Sequence, residues 1–314
     1  MSEVTTTLFR GMRAKAKGKH KLPSPRSVLT NHCFRLNLQH RHITEILGGH
    51  IVVDKNVQLV AGSRVLDSGT GTGQSILPHR IEKERIQTSS TGAWLFDLSA
   101  QVPDTVELVG IDISVPMFPK EYPKNMKLYE APATSLPAEW SNSFDFINQR
   151  LLLGALTGLQ WRAALSEFYR VLKPGGAVQL VETGSYENMP GLSSMPATRK
   201  AYDAASAVMD ARGLLGYRCT REIPAILKEV GFSDVDDKVY RMTLGKQWGD
   251  MGVTGSKVWL NALRAIGATL LEMGGLGFCS SLAELEELLD RTKEEWDENP
   301  GVFRELHVIT AKKV

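Results

Sequence analysis

Cysteine is scarce in this 314-residue chain. Its three cysteines, Cys33, Cys219 and Cys279, are far apart and odd in number. That excludes a disulfide framework and a CxxC metal pair, and it fits a reducing compartment. Net charge is also close to absent, at +2, so there is no whole-protein basic footprint for nucleic acid. No run approaches the roughly eighteen apolar residues of a membrane span, and the N-terminus lacks the short apolar segment of a secretory signal. Zinc-type His/Cys clusters, a GxSxG elbow and a Walker lysine are missing as well, so no metal is expected. The expectation is an intracellular, non-membrane protein, cytoplasmic unless a regulatory role takes it to the nucleus.

What is present is an ordinary core composition, 42% hydrophobic and 23% charged. One local excess stands out at the start, where Arg10, Arg13, Lys15, Lys17, Lys19, Lys21 and Arg26 face the single acid Glu3. Runs of this kind are solvated more often than they bind, so residues 1–26 read as a disordered basic tail. After the helix-blocking LPSP at 22–25, apolar residues at helical spacing run from Val28 to Leu47, with Gly48-Gly49 as a stop.

From Ser63 the pattern changes to short apolar runs ended by Gly, Asp or Pro and separated by helical segments. Strands are expected at RVLDSG, Val106–Ile113, Met126–Ala131, Phe144–Gln149 and Ala177–Thr183. Helices are expected at Ala93–Gln101, Pro116–Tyr122 and Gln160–Leu172 between them. Further helices follow at Thr198–Arg212, Arg221–Val230, Lys257–Met273 and Ser281–Trp296, with strands at Asp236–Gly245 and Glu305–Lys313. Continuous apolar strands with helical crossovers demand a mostly parallel sheet covered on both faces, an α/β fold.

The first strand runs into Asp67-Ser-Gly-Thr-Gly-Thr-Gly73. Alternate glycines let backbone pass close to a ligand, at the place where an open α/β sheet binds one. A dinucleotide turn would need a further glycine at position 74, which is Gln74. An acid directly before the glycines suits a cofactor with a cationic group better than a pyrophosphate. Asp112 closes the second strand, where a carboxylate can accept both ribose hydroxyls of a nucleoside. Together with the FDFINQR strand, these features point to S-adenosylmethionine rather than NAD.

VLDSGTGTG, VELVGIDIS, ATSLPAEWSNSFDFINQRLL and EFYRVLKPGGAVQLVE resemble the motifs of class I S-adenosylmethionine-dependent methyltransferases, within them the fungal LaeA-like and secondary-metabolite group. REIPAILKEVGF resembles that group's late helix, and RLNLQH at 35–40 its N-terminal lid helix. The resemblance implies a Rossmann-like, mostly parallel seven-stranded sheet over residues 27–314. It also implies a lid helix at 27–50 and a helical cap at 246–300, before the last strand. Asp67, Gly69, Gly71 and Gly73 would line the methionine end of the cofactor and Asp112 the ribose. Ala133 and Thr134 would sit by the adenine, and Gln149 and Arg150 would face the reactive centre.

One stretch departs from the pattern. The glycine turn ought to run straight into its helix, as GTGAWLFDL, yet Gln74–Gly92 intervenes. Three readings stand for these nineteen residues: a surface loop, a lid, or untranslated sequence retained in a gene model. A displaced helix start would weaken the hold on the cofactor's carboxylate, which relies on helix N-terminal amides.

Methyl transfer from a sulfonium is an in-line displacement in which the protein mainly aligns and desolvates. No histidine stands just after the fourth or fifth strand, where a base is often placed, so His32 and His40 on the lid helix are the candidate bases, against a capping or packing role for each. Glu182, at the end of the fifth strand, would orient a substrate or cap a turn. Met- and Trp-rich segments at 186–217 and 257–296 suggest an apolar small-molecule acceptor rather than a nucleic acid. The leading expectation is O-methylation of a hydrophobic metabolite. The alternatives are a LaeA-like regulator acting through nuclear protein partners, and a methyltransferase fold recruited for a non-methylating rearrangement.

Overall fold

A computed structural model describes residues 25–70, 92–113 and 121–314, with side chains from Arg35 onward in the first helix. Residues 1–24 of the basic tail, Gly71, Gly73 and most of the expected insertion and of the Pro116–Tyr122 helix therefore lie outside the described residues, whereas Pro25 and Arg26, expected in the disordered tail, already belong to the first helix.

Helix α1 covers Pro25–Ile46, with proline at its first position, where the missing N–H costs nothing. Strand β1 (Arg64–Ser68), helix α2 (Ala93–Ser99) and strands β2 (Glu107–Asp112) and β3 (Met126–Glu130) make the first half of the sheet. Strand β4 (Phe144–Arg150), helix α3 (Gly158–Val171) and strand β5 (Leu172–Thr183) follow. Helices α4 (Pro196–Ala211) and α5 (Cys219–Val230) lead to strand β6 (Phe232–Thr243). Helices α6 (Gly249–Glu272) and α7 (Leu282–Glu298) precede strand β7 (Phe303–Lys313). The seven strands lie in the order β3-β2-β1-β4-β5-β7-β6, and only β7 runs antiparallel to its neighbours. This is the doubly wound class I methyltransferase architecture that the sequence motifs imply.

Local chemistry explains the boundaries. Thr157 caps α3 through a reciprocal pair with Gln160, each side chain accepting the other residue's backbone N–H. Gly231, in the left-handed region at φ 115°, ends α5 before β6. Strand β6 begins four residues before the expected Asp236, because a bulge between Ser233 and Asp236 breaks its pairing without ending it. Helix α6 starts at Gly249, eight residues before the expected Lys257. Its first turns carry Gly252 and Gly255, poor helix formers that are needed here: a Cβ at either would fall 2.1 or 2.2 Å from a carbonyl oxygen of the chain leaving β6.

Three apolar clusters form the core. Trp94, Leu95 and Leu98 of α2 cover one face of the sheet against Val65 and Phe146, and Trp161, Leu165 and Phe168 of α3 help cover the other. The third cluster unites α4, α6 and α7 around Tyr202, Trp259 and Trp296. Met189, Met195, Tyr202 and Met209 belong to the Met- and Trp-rich segments, most of whose apolar residues are expected to be core, and all four are buried. Trp259, Leu263, Leu270 and Trp296 of the cap are buried as well, whereas Trp248 and Leu276 are exposed.

Candidate cofactor site at the strand tips

β1 and β2 are paired, with Asp67 opposite Gly110 and Ser68 opposite Ile111, so Asp67 and Asp112 come from neighbouring strand tips. Asp67 is 4% exposed. Burial pushes its carboxyl up to about 6; the Arg150 charge and a hydrogen bond from Asn148 oppose this, and the Asp112 charge adds to it. The Asp112 carboxylate is thus near enough for its charge to act on Asp67. Asn148 Nδ2 donates to Asp67 Oδ1 at 2.7 Å.

Strand alternation separates the next two candidates. Asn148 pairs in register with Asp67, so Arg150, two residues on, lies on the Asp67 face, where its charge acts on Asp67, Asp97 and His40. Gln149 points to the opposite face, fully buried, its Oε1 accepting from Ser68 Oγ at 3.1 Å. Only Arg150 of that expected pair faces the acids.

Gly69 turns left-handed at φ 67°, and a Cβ there would stand 3.1 Å from the Leu152 methyls. The glycine at the start of α2 is Gly92, at φ 102°, and its N–H donates to the Thr70 carbonyl at 3.3 Å. The helix therefore starts at Ala93, directly after Gln74–Gly92, as the sequence leads one to expect. A Thr-Gly pair stands at both 72–73 and 91–92, so removing either 74–92 or 72–90 leaves the same string, and sequence alone cannot choose.

The turn after β3, expected to sit by the adenine, is held from below. Ala131 N donates to the Asp112 carbonyl at 3.0 Å, and Ala133 and Thr134 are half-buried just beyond. Glu167 accepts from Leu136 N at 2.6 Å, while Arg170 binds both Glu167 oxygens and the Leu136 carbonyl. At the β4 tip Leu151 adopts φ 56°, rare for a residue with a Cβ. It is fixed by Leu151 N to the Val181 carbonyl at 2.9 Å, and by Glu182, which accepts from Leu152 N at 2.7 Å and Leu153 N at 3.2 Å. Glu182 is therefore a cap for this turn, and burial pushes its carboxyl up to about 8.

His40 is 4% exposed and its Nε2 lies 2.8 Å from Asp97 Oδ2 of α2, which ties the lid helix to the glycine-led helix. Burial first, and then Arg150, hold its pKa below the ordinary value, and Asp97 opposes them. The side chain of His32 lies outside the described residues. Asn148, Gln179 and Asp97 were not singled out in the sequence. Their signal was there, as polar residues inside the apolar strands FDFINQ and AVQLVE and an acid inside the apolar helix AWLFDL. Among the described residues no group of three or more His, Cys, Asp or Glu is placed to hold a metal, and no helix is long and apolar enough to cross a membrane.

Residues 88–176 match the family model described as a methyltransferase domain. The chain is 35% identical over 106 residues to the N-methyltransferase verN of Clonostachys rogersoniana, covering 33% of this chain and 37% of that protein. It is 32% identical over 155 residues to the N-methyltransferase tcpN of Claviceps purpurea, covering 47% of each. With the N-methyltransferase gliN of Aspergillus fumigatus it shares 29% identity over 219 residues, 67% of this chain and 68% of that one. The alignments thus span between a third and a half of the first two relatives. The solved structure of the YcgJ protein from Bacillus subtilis superposes with a TM-score of 0.50 at 16% identity, over 86% of this chain and 98% of that one. From residue 88 to 176, then, the chain carries a methyltransferase-domain signature on a class I methyltransferase fold.

Proposed function

We propose that the chain binds S-adenosylmethionine at the β1 and β2 tips and transfers its methyl group to a nitrogen of a small, apolar acceptor. The observation that carries this reading is the convergence of Asp67 and Asp112 beside Gly69 and Arg150. The chemistry of the set fits the cofactor. Arg150 faces Asp67 and Asp97, and Asp112 adds its charge beside Asp67, which leaves an excess of negative charge for a cationic ligand. The bound cofactor supplies a sulfonium-activated methyl group. Asp67 would hold the cationic amino end, and Asp112 would accept the ribose hydroxyls. Arg150 would complement the cofactor's carboxylate, and Gly69 would allow its close approach.

Nitrogen is favoured over oxygen because the three fungal relatives above are named N-methyltransferases. A neutral amine presents its own lone pair and needs no base before attack. A regulator would draw on the basic run Arg10–Lys21, which lies outside the described residues. Incubation with methyl-labelled S-adenosylmethionine and a panel of apolar secondary amines and phenols tests the proposal. Label should move to amines; transfer to phenols alone contradicts the nitrogen assignment, and no cofactor binding contradicts the whole reading.

A further inference from the structure

Asp67, Asn148 and Gln179 stand side by side on three neighbouring strands, Asp67 in register with Asn148 and Asn148 with Gln179. All three are buried, the two amides completely. Gln179 Nε2 donates to Asn148 Oδ1 at 3.0 Å, and Asn148 Nδ2 in turn to Asp67 Oδ1 at 2.7 Å. At the far end, Gln179 Oε1 accepts from Val53 N at 2.8 Å, and its Nε2 also donates to the Ile51 carbonyl at 2.9 Å.

A primary amide has one accepting and one donating end, and a half turn exchanges them. Backbone groups have no such freedom. Val53 N–H only donates and the Ile51 carbonyl only accepts, so Gln179 is locked with its oxygen toward Val53 and its nitrogen toward Asn148. Asn148 is then left one orientation, with its nitrogen toward Asp67. In a water-poor site that charge-assisted bond favours the carboxylate over the acid. Without the donor at 179, Asn148 is free to turn its oxygen to Asp67, where only a protonated carboxyl can answer it.

We propose that Gln179 is a positioning residue for cofactor binding: through Asn148 it holds Asp67 as a carboxylate, and it ties that state to the backbone at 51–53, just beyond the lid helix. The proposal rests on the reading of Asp67 as the cofactor acid. The other charges acting on Asp67 are Arg150 of β4 and Asp112 of β2, with Asp97 of α2 and His40 of α1 next to Arg150. All of them remain when Gln179 is replaced.

The test uses the full chain. Carboxyl carbon NMR follows the titration of Asp67 in unliganded wild type and in Gln179→Met, which keeps the length and loses the donor. Gln179→Leu serves if the methionine variant does not fold. S-adenosylhomocysteine calorimetry accompanies each. The proton affinity of Asp67 should rise roughly tenfold, the effect of losing one hydrogen bond to a charged group. Ligand affinity should fall near pH 6 and recover as the pH rises, whereas a merely structural role lowers the melting temperature and leaves the Asp67 midpoint in place. An unmoved midpoint in a folded variant overturns the relay, whatever the ligand does. Wild type that gives no heat with S-adenosylhomocysteine overturns the reading beneath it, whatever the midpoint does.

Discussion

At the scale of single residues, burial sets proton affinities that function then uses. Asp67 titrates at about 6 in the unliganded protein, and a cationic ligand needs it ionised. Affinity for S-adenosylhomocysteine should therefore decline as pH falls through 6, and Asp67→Asn should bind weakly with that dependence gone; calorimetry from neutral to acid pH measures both. His42 shows the opposite linkage to stability. It is 1% exposed, neither ring nitrogen has a hydrogen-bond partner among the described residues, and burial lowers its pKa to about 4. The unfolded chain binds a proton near the ordinary value of 6.5 while the native state does not, so this group makes stability fall as pH drops from 6.5 toward 4. His42→Phe should remove on the order of 2 kcal/mol of the stability difference between about pH 7 and pH 5, read by urea unfolding at both pH values. Gly255 lies against the ring, with a Cβ position 3.1 Å from Nε2, so a tyrosine at 42 would test packing instead.

At the scale of elements, the glycine turn and its helix meet across a long excursion of chain. Gly92 N already reaches the Thr70 carbonyl, and with 72–90 excised Gly92 becomes the third residue after Thr70. That bond is then the i to i+3 bond that closes a β-turn, so the shortened chain can join without moving β1 or α2. The excised protein should keep its melting temperature and bind S-adenosylhomocysteine at least as tightly as the full chain. A collapse of folding would show that the segment belongs to the structure. The β-α-β units were legible because buried parallel strands carry short, mostly apolar runs, as LVGI of β2 and VQLV of β5 do. Asp67 and Asp112 were legible for the same reason, as acids at the ends of such runs. The start of α6 was not, because Gly252 and Gly255 oppose helix locally and only tertiary contact favours them. Nor was the face of Gln149, since one residue of register decides it.

At the scale of the whole molecule, one buried cation is among the contacts that join the sheet to the helical cap. Arg304, 2% exposed at the start of β7, donates from Nη2 to the Gly184 carbonyl at 2.6 Å. Its guanidinium lies 4.7 Å from the ring centre of Tyr202, 4.9 Å from Tyr217 and 5.2 Å from Trp259. Among the described residues no carboxylate pairs with it; the hydroxyls and ring faces of Tyr202 and Tyr217, with Trp259, surround the charge instead. Tyr202 belongs to α4 and Trp259 to α6, so this contact fastens the cap to the end of the sheet beside Glu182. Arg304→Met should cost about 2 to 4 kcal/mol in thermal or urea unfolding, as expected when a buried polar network loses its central member. Arg304→Lys should recover little of it, because an ammonium lacks the flat faces that stack on three rings.

The most direct test of the account is S-adenosylhomocysteine calorimetry on wild type, Asp67→Asn, Asp112→Asn and the double variant. The two-acid site predicts stoichiometric binding by wild type, at least about tenfold weaker binding by each single variant, and none detectable in the double. Undiminished affinity in the double variant, with its fold intact, would contradict it.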